Sequence, residues 1–289
     1  MTTDVGRGER AGSAATPGRT RDVIVNSTVA AVLATAVTIF VHELVHLVTG
    51  IVLGHGGTLY PFGVIHDGSL TDTETALTAI SAPIASLVIG AAVIAALPRP
   101  ATSRFGQLFL FWLGATSFME GAGYLVITPM GAGDTAATLA AFDLPLWVGF
   151  LAAALGVALM FLGARMLAPH VVRMSGRDRT LSWAIAFHPW WIGTLVSLGL
   201  TAAYLALSSA DLADGEVVAI LSASTALLVL GPMSFIFQNR SPDQPRTVIT
   251  SGISVAGGFA SAARRYSCTC SAAFCMSASC SRCKGICRW

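Results

Sequence analysis

Charge is what this sequence of 289 residues has least of. Charged residues make up 11% of the chain and hydrophobic residues 54%, whereas about a quarter of the residues in a soluble domain are charged. This composition excludes an ordinary soluble domain. Stretches with almost no charge recur along the chain, and each is long enough to cross a hydrocarbon core of about 30 Å.

Six of these stretches predict membrane spans, near residues 26–53, 75–97, 105–127, 146–168, 183–207 and 217–237. A backbone that leaves water must form its hydrogen bonds within its own segment, so the spans are expected to be α-helices. The predicted fold class is an all-α integral membrane protein, a polytopic bundle of about six transmembrane helices.

Lysine and arginine are absent from three of the predicted loops, 54–74, 128–145 and 208–216. With six spans, all 17 basic residues lie on one side of the membrane, which the positive-inside rule assigns to the cytoplasm. We therefore expect both termini in the cytoplasm and a multi-pass protein of the plasma membrane, embedded in the lipid bilayer. No nucleic-acid partner is expected.

Cysteine is absent from the first 267 residues, and all six cysteines fall in the last 22. One pair, Cys280 and Cys283, has the C-x-x-C spacing of a zinc ligand pair. No apolar pattern surrounds it, so a disordered extension is favoured over a metal knuckle. The predicted organisation is a disordered polar tail at 1–22, a membrane domain at 23–238 and a cysteine-rich, disordered tail at 239–289.

The first predicted span contains the sequence His42-Glu43-Leu44-Val45-His46. Histidines at i and i+4 lie on one helix face and can share one metal ion, and the intervening glutamate can reach a metal-bound water. Three ionisable groups within a membrane span need a partner that offsets their burial. A metal site is favoured over the alternative, a polar patch satisfied by neighbouring helices.

A catalytic zinc ion needs a third protein ligand and an open position for water. His42 lies 16 residues into the predicted first span, about 24 Å along it and thus towards the outer face. The third span ends on the same face, where Pro129 and two glycines should break the helix and turn Asp134 inward. Asp134 is therefore the candidate third ligand, the alternative being a loop or helix-capping aspartate.

These residues resemble the site-2 protease family of intramembrane zinc metalloproteases, over about residues 26–140. That family pairs HExxH on one helix with a later helix end reading roughly Asn-x-x-Pro-x-x-x-x-Asp-Gly, and Pro129 and Asp134 have that spacing. The segment Ser81-Ala82-Pro83-Ile84-Ala85-Ser86 is similar to the small-residue Gly-Pro-x-x-Asn element of the intervening span. The sequence departs from the family at three positions, where Val126 and Ser86 each replace Asn and Thr135 replaces Gly.

The resemblance implies a Zn²⁺ cofactor held by His42, His46 and Asp134, with Glu43 as the general base. It also implies a membrane-anchored protein as the substrate. The competing interpretation is a catalytically silent scaffold or transporter-like protein that keeps a metal site; Glu43 favours the enzyme, because a scaffold needs no base beside its ligands.

Three further polar residues, Glu120, His55 and His66, are candidates for roles beside this site. Glu120 lies mid-span, about 21 Å from Asp134 along an unbroken helix, and is expected to be a bundle-facing polar residue or gate rather than a ligand. His55 and His66 fall in the outer loops, where they can shape substrate access. The Gly-rich segment 54–65 is either an extended edge for an unwound substrate or an ordinary loop.

Overall fold

The computed structural model describes residues 17–97, 104–207, 220–221 and 224–242. Helices dominate these residues: α1 Pro17–Val52, α2 Asp72–Ala96, α3 Arg104–Ile127, α4 Gly133–Ala141, α5 Leu146–Ser175, α6 Arg179–Ser182 and α7 His188–Leu207. A hairpin of β1 Gly57–Tyr60 and β2 Gly63–His66 joins α1 to α2. A π-helical segment, Trp183–Phe187, links α6 to α7, and a one-turn helix, Leu230–Met233, continues into a 3₁₀ segment, Ser234–Arg240.

Five helices are long and apolar enough to cross a membrane: Gly18–Val52, Asp72–Ala96, Phe105–Met130, Leu146–Ser175 and Arg179–Leu207. They correspond to the first five predicted spans, in keeping with a membrane-embedded helical bundle. The predicted sixth span, 217–237, lies partly outside the described residues. Large apolar side chains on α5 and α7, among them Phe150, Leu155 and Leu200, are exposed; contact with lipid would cover them.

The first helix begins earlier than the sequence predicted. Residues 17–22, assigned to a disordered tail, form the first turns of α1, which starts at Pro17. Proline suits the first helical position, where its fixed φ is already helical and its missing N–H would have had no partner. The predicted tail residues 1–16 and 243–289, including every cysteine, lie outside the described residues.

Helix α3 is the centre of the bundle and packs against α1, α2 and α5. Its Phe111 and Trp112 are fully buried. At Gly121 the contact with α2 leaves no room for a side chain, because a Cβ there would collide with the backbone carbonyl of Pro83. Such backbone-to-backbone packing through small residues is typical of helices in lipid.

The π-helical segment is explained by Pro189, which follows it. Proline has no N–H, so the carbonyl four residues earlier, that of Ile185, lacks its usual helical donor. The hydroxyl of Ser27 on α1 donates to this carbonyl at 2.7 Å, and the same hydroxyl accepts a hydrogen bond from Trp112 Nε1 at 2.8 Å. One buried serine thus joins α1 and α3 to the segment before α7.

The Gly-rich segment after α1 forms an antiparallel hairpin, in which Gly57 pairs with His66 and Tyr60 with Gly63. The segment is therefore extended, as the first of the two interpretations predicted; its use by a substrate stays a prediction.

A capping box begins α2: the Thr71 hydroxyl accepts a hydrogen bond from the Glu74 N–H, and the Glu74 carboxylate accepts one from the Thr71 N–H.

Candidate metal centre

His42 and His46 lie on the buried face of α1, one turn apart. Their exposed fractions are 1% and 8%, so the bundle rather than lipid or water surrounds them. Helix α1 continues for six residues beyond His46 to Val52, about 9 Å at 1.5 Å per residue. The two histidines are therefore near the end of the helix that leads into the β1–β2 hairpin.

Asp134 lies beside His42 and His46 because the chain turns back after α3. The helix ends at Ile127, a 3₁₀ turn containing Pro129 follows, and Gly131 and Gly133 adopt left-handed conformations with φ of 72° and 79°. Asp134 then lies in the first turn of α4, which the sequence-based prediction treated as a loop. The N-cap position of α4 is Ala132, so the capping role considered for Asp134 is wrong.

The three side chains meet at one point. Oδ2 of Asp134 lies 2.8 Å from Nε2 of His42 and 3.2 Å from Nε2 of His46, and the two Nε2 atoms are 3.2 Å apart. A tetrahedral zinc ion with ligand bonds of about 2.0–2.1 Å separates its ligand atoms by about 3.3 Å. The group therefore has the spacing to hold a metal ion after a small expansion, and three protein ligands leave a fourth position open.

The Asp134 carboxylate is held in its charged form. Burial raises the pKa of this carboxyl, but hydrogen bonds and favourable charge interactions with His42 and His46 outweigh burial, so that its pKa is below the ordinary aspartate value. An ionised carboxylate is the form that binds a cation.

The far side of the His46 ring is held by α2. Its Nδ1 lies 2.8 Å from the backbone carbonyl of Thr78, to which Nδ1–H donates, so Nε2 is the ring nitrogen that faces Asp134. The same carbonyl accepts from Ser81 Oγ, which itself accepts a hydrogen bond from Thr49. The ring orientation is thus fixed by a short polar chain between α1 and α2.

His42 is held by a hydroxyl and an aromatic ring. Its Nδ1 lies 3.2 Å from Ser86 Oγ on α2. The ring of Tyr124 on α3 stacks on the imidazole, with centroids 5.0 Å apart and an interplanar angle of 9°. Sequence reasoning missed Tyr124 and the Thr78 carbonyl. Small polar residues such as Ser81 and Ser86 within an apolar span were the available signal, because each needs a partner there.

Glu43 follows His42 directly on α1 and has an exposed fraction of 8%. Among the described residues, its carboxylate has no hydrogen-bond or ion-pair partner. A buried carboxylate beside a candidate metal site, and not engaged elsewhere in the described part of the chain, is free to take up a proton.

Glu120 is buried and faces the bundle, as the sequence predicted. It is nevertheless nearer to the site than its distance from Asp134 along an unbroken helix implied. Its Oε1 lies 3.9 Å from Nδ1 of His42. The expected distance assumed an unbroken helix from Glu120 to Asp134. The helix instead ends at Ile127, and the chain folds back beside α3, which brings Asp134 closer to Glu120.

The remaining histidines of the chain lie outside the cluster. His55 pairs with Glu74 at 3.3 Å, and His66 packs against Gly50, one turn beyond His46. His170 lies 3.0 Å from an Arg173 nitrogen, and His188 accepts a hydrogen bond from Trp191. Within the described residues, the only group of three or more His, Cys, Asp or Glu with metal-ligand spacing is His42, His46 and Asp134.

Searches against protein-family models, curated proteins and solved structures gave no match to this chain.

Proposed function

We propose that this protein is a zinc-dependent intramembrane endopeptidase that hydrolyses a peptide bond of a membrane-anchored protein. The observation that supports this most is the approach of Asp134 to both histidines of an HExxH sequence, inside a helix of membrane-spanning length. The resemblance to the site-2 protease family assigns the same three residues to zinc.

The residues present are suited to peptide hydrolysis. Zinc, when bound by His42, His46 and Asp134, supplies a Lewis acid that polarises a carbonyl and acidifies a water molecule. Glu43 takes one proton from the attacking water as the C–O bond forms, and passes it to the amine nitrogen as the C–N bond breaks. Thr78 and Ser86 hold the two imidazoles in place during this transfer.

The β1–β2 hairpin is the proposed docking element for the substrate. A helical substrate keeps its carbonyls in its own hydrogen bonds and must unwind before one of them can be attacked. A two-stranded sheet has an unpaired edge on each strand, and such an edge can accept an unwound segment by strand addition. His66 on β2 packs against α1 one turn beyond His46, so the hairpin adjoins the site.

The basic residues orient the proposed enzyme in the plasma membrane. Both termini lie in the cytoplasm and the metal site lies near the outer face, because the two loops that flank the site, 54–74 and 128–145, contain no lysine or arginine. The competing function, a silent metal-binding scaffold, gives no role to a buried carboxylate such as Glu43.

The replacement Glu43→Gln tests this function. The amide keeps the shape of the side chain but cannot accept the proton, so cleavage should stop while zinc remains bound. Membranes of cells that produce the variant should accumulate full-length single-span proteins that are shortened when the wild-type protein is present, as measured by comparative proteomics. Zinc content of the two purified proteins is the control. Equal shortening of the same proteins by wild type and variant would refute the proposed mechanism.

A further inference from the structure

The candidate metal ligands on α1 lie inside the bundle, so an ion must pass other side chains to reach them. His42 and His46 have exposed fractions of 1% and 8%. Both lie much closer to the end of α1 at Val52, where the β1–β2 hairpin follows, than to its start at Pro17. The side chains around this end of α1 therefore decide what an incoming ion meets first.

The segments beside this end of α1 carry charge of one sign. Neither 54–74 nor 128–145 contains a lysine or an arginine. A concentration of negative charge raises the local concentration of cations and their association rates. This end of the protein is therefore expected to attract divalent cations. The acidic residues of the two segments are Asp67, Asp72, Glu74, Asp134 and Asp143.

An imidazole and a carboxylate are held together at this end of α1 and remain partly exposed. Nε2 of His55 lies 3.3 Å from Oε1 of Glu74, and the two side chains are 20% and 26% exposed. The other carboxylate oxygen of Glu74 accepts from the Thr71 N–H, which fixes the side chain with Oε1 towards His55. Adjacent ligand atoms of a tetrahedral zinc ion are separated by about 3.3 Å. Two protein ligands, with water in the other positions, make a weak site that suits an ion in transit.

His66 on β2 continues the row of imidazoles along α1. Residues 42, 46 and 50 lie on one helix face, with successive Cβ atoms about 5–6 Å apart. Position 50 is a glycine, and a Cβ there would overlap the His66 ring, which thus fills the space of the missing side chain. The backbone N–H of His55 donates to the Gly50 carbonyl at 2.9 Å. His66 therefore lies one helical turn from His46, towards the end of α1 that His55 follows.

Packing alone does not account for a histidine at position 66. Its Nδ1 is buried and, among the described residues, has no hydrogen-bond partner. An unsatisfied buried nitrogen destabilises a fold, whereas an apolar ring of similar size would not. His66 as a whole is only half-buried, so part of its ring is within reach of a solvated ion. Because Nδ1 is on the buried side, Nε2 is the nitrogen available to a metal ion.

We propose that the pair His55–Glu74 and then His66 form an entry route that passes Zn²⁺ from water to the buried metal centre. Imidazole and carboxylate groups are zinc ligands, so each step exchanges one ligand for the next. No group of the route stays on the ion once it is bound. The route therefore speeds binding and release equally and leaves the equilibrium affinity unchanged. This inference rests on the proposed metal site but not on proteolysis.

The test separates the rate of metal binding from the affinity. Co²⁺ is mixed with the metal-free, purified full-length protein in detergent, and the visible ligand-field absorption of the bound ion is followed in time. Release is followed after addition of EDTA. His66→Phe keeps a ring beside Gly50 but has no nitrogen, and it should slow association and release by about tenfold each, with wild-type affinity and spectrum. Its unfolding temperature should not fall, because no hydrogen bond of the ring is lost.

Glu74→Gln tests the first step of the route. Glutamine can still accept from the Thr71 N–H and keep the capping box, but it has no charge. Co²⁺ association should slow about tenfold and depend less on ionic strength. Asp72→Asn is the matched control, since Asp72 is an exposed acid in the same turn of α2 and its loss changes the net charge equally. Equal slowing by the two variants would overturn entry through the His55–Glu74 pair.

His188→Phe is the matched control for His66, since His188 is also partly buried but lies on α7, outside the site. Its rates should equal those of wild type. Wild-type association in His66→Phe would overturn the entry route and leave the metal site intact. Lower affinity with unchanged association in that variant would make His66 a group that holds the bound ion, and would also overturn the route. Absence of Co²⁺ binding by the wild type would overturn the metal site itself, and with it both proposals.

Discussion

At the scale of single residues, the site depends on one carboxylate oxygen. Oδ2 of Asp134 serves both His42 and His46, which come from a different helix. Among the described residues, no other acidic group approaches both Nε2 atoms; the nearest alternative, Glu120, faces the opposite ring edge of His42. Asp134 should therefore not be replaceable by a neighbouring carboxylate.

The variant Asp134→Asn tests this dependence. The amide has the same size as the carboxylate but no charge. Loss of a residue that only hydrogen-bonds to a ligand typically costs about 10–100-fold in metal affinity, so loss of a ligand itself should reduce zinc affinity by more than about a hundredfold. Zinc affinity is measured by chelator competition. Asp143→Asn is the control, because Asp143 is exposed beyond α4 and asparagine tolerates its left-handed φ of 49°. Unchanged zinc affinity in Asp134→Asn would mean that the third ligand is another residue.

Residue types and spacing were enough to nominate His42, Glu43, His46 and Asp134, and the structure brings both histidines and Asp134 together. They could not identify Tyr124, the Thr78 carbonyl or the approach of Glu120 to His42. Those contacts depend on how α2 and α3 are rotated against α1, and the rotation is set by packing at positions such as Gly121. Local sequence patterns do not contain that information.

At the scale of elements, the turn between α3 and α4 determines where Asp134 is placed. Gly131 and Gly133 both have the positive φ that side chains disfavour, but their surroundings differ. A Cβ on Gly131 would meet open space, whereas one on Gly133 would meet the ring of Tyr124, which stacks on His42. Replacing Gly131 therefore adds only backbone strain, whereas replacing Gly133 adds backbone strain and also disturbs the site.

We predict that Gly131→Ala lowers the free energy of unfolding by about 1–2 kcal/mol, the cost of a left-handed conformation, and that Gly133→Ala lowers it further, because its Cβ also collides with the Tyr124 ring. Only Gly133→Ala should also lower zinc affinity, because its methyl group must displace Tyr124 or the start of α4. Thermal unfolding in detergent and zinc competition measure the two effects. Equal zinc affinity in both variants would contradict the claim that contact at Gly133 controls the site.

Hydropathy located the first five spans well but not the ends of their helices. Helix α1 begins at residue 17 rather than 26, and α5 continues to Ser175 rather than 168. Hydropathy follows the apolar stretch, whereas backbone hydrogen bonds continue the helix into polar sequence. The short helix α4 was missed for a related reason: it spans only nine residues and is stabilised by packing against α2.

At the scale of the whole molecule, the absence of basic residues from the outer loops predicts the orientation of the protein. With each long helix crossing the membrane once, we expect the hairpin and the α4 region on one side and the turn between α5 and α6 on the other. This turn contains Arg177, and Arg179 follows it as the first residue of α6.

Cysteine labelling measures this orientation. In a background with the six natural cysteines replaced by serine, Ser69→Cys and Ala140→Cys should react with a membrane-impermeant maleimide added to intact cells. Thr180→Cys, beyond α5, should react only after permeabilisation. Ser69, Ala140 and Thr180 are all exposed in the structure. Labelling of Thr180→Cys, but not Ala140→Cys, in intact cells would reverse the orientation and move the metal site to the inner face.

The separation of the ligands along the chain also has a consequence in time. His46 and Asp134 are 88 residues apart, and a ribosome adding about 5–20 residues per second makes that length in roughly 4–18 seconds. During this interval α1 has emerged with both histidines and Glu43, but the carboxylate that completes the set does not yet exist. A newly made chain therefore cannot bring the three candidate metal ligands together before the start of α4 is synthesised.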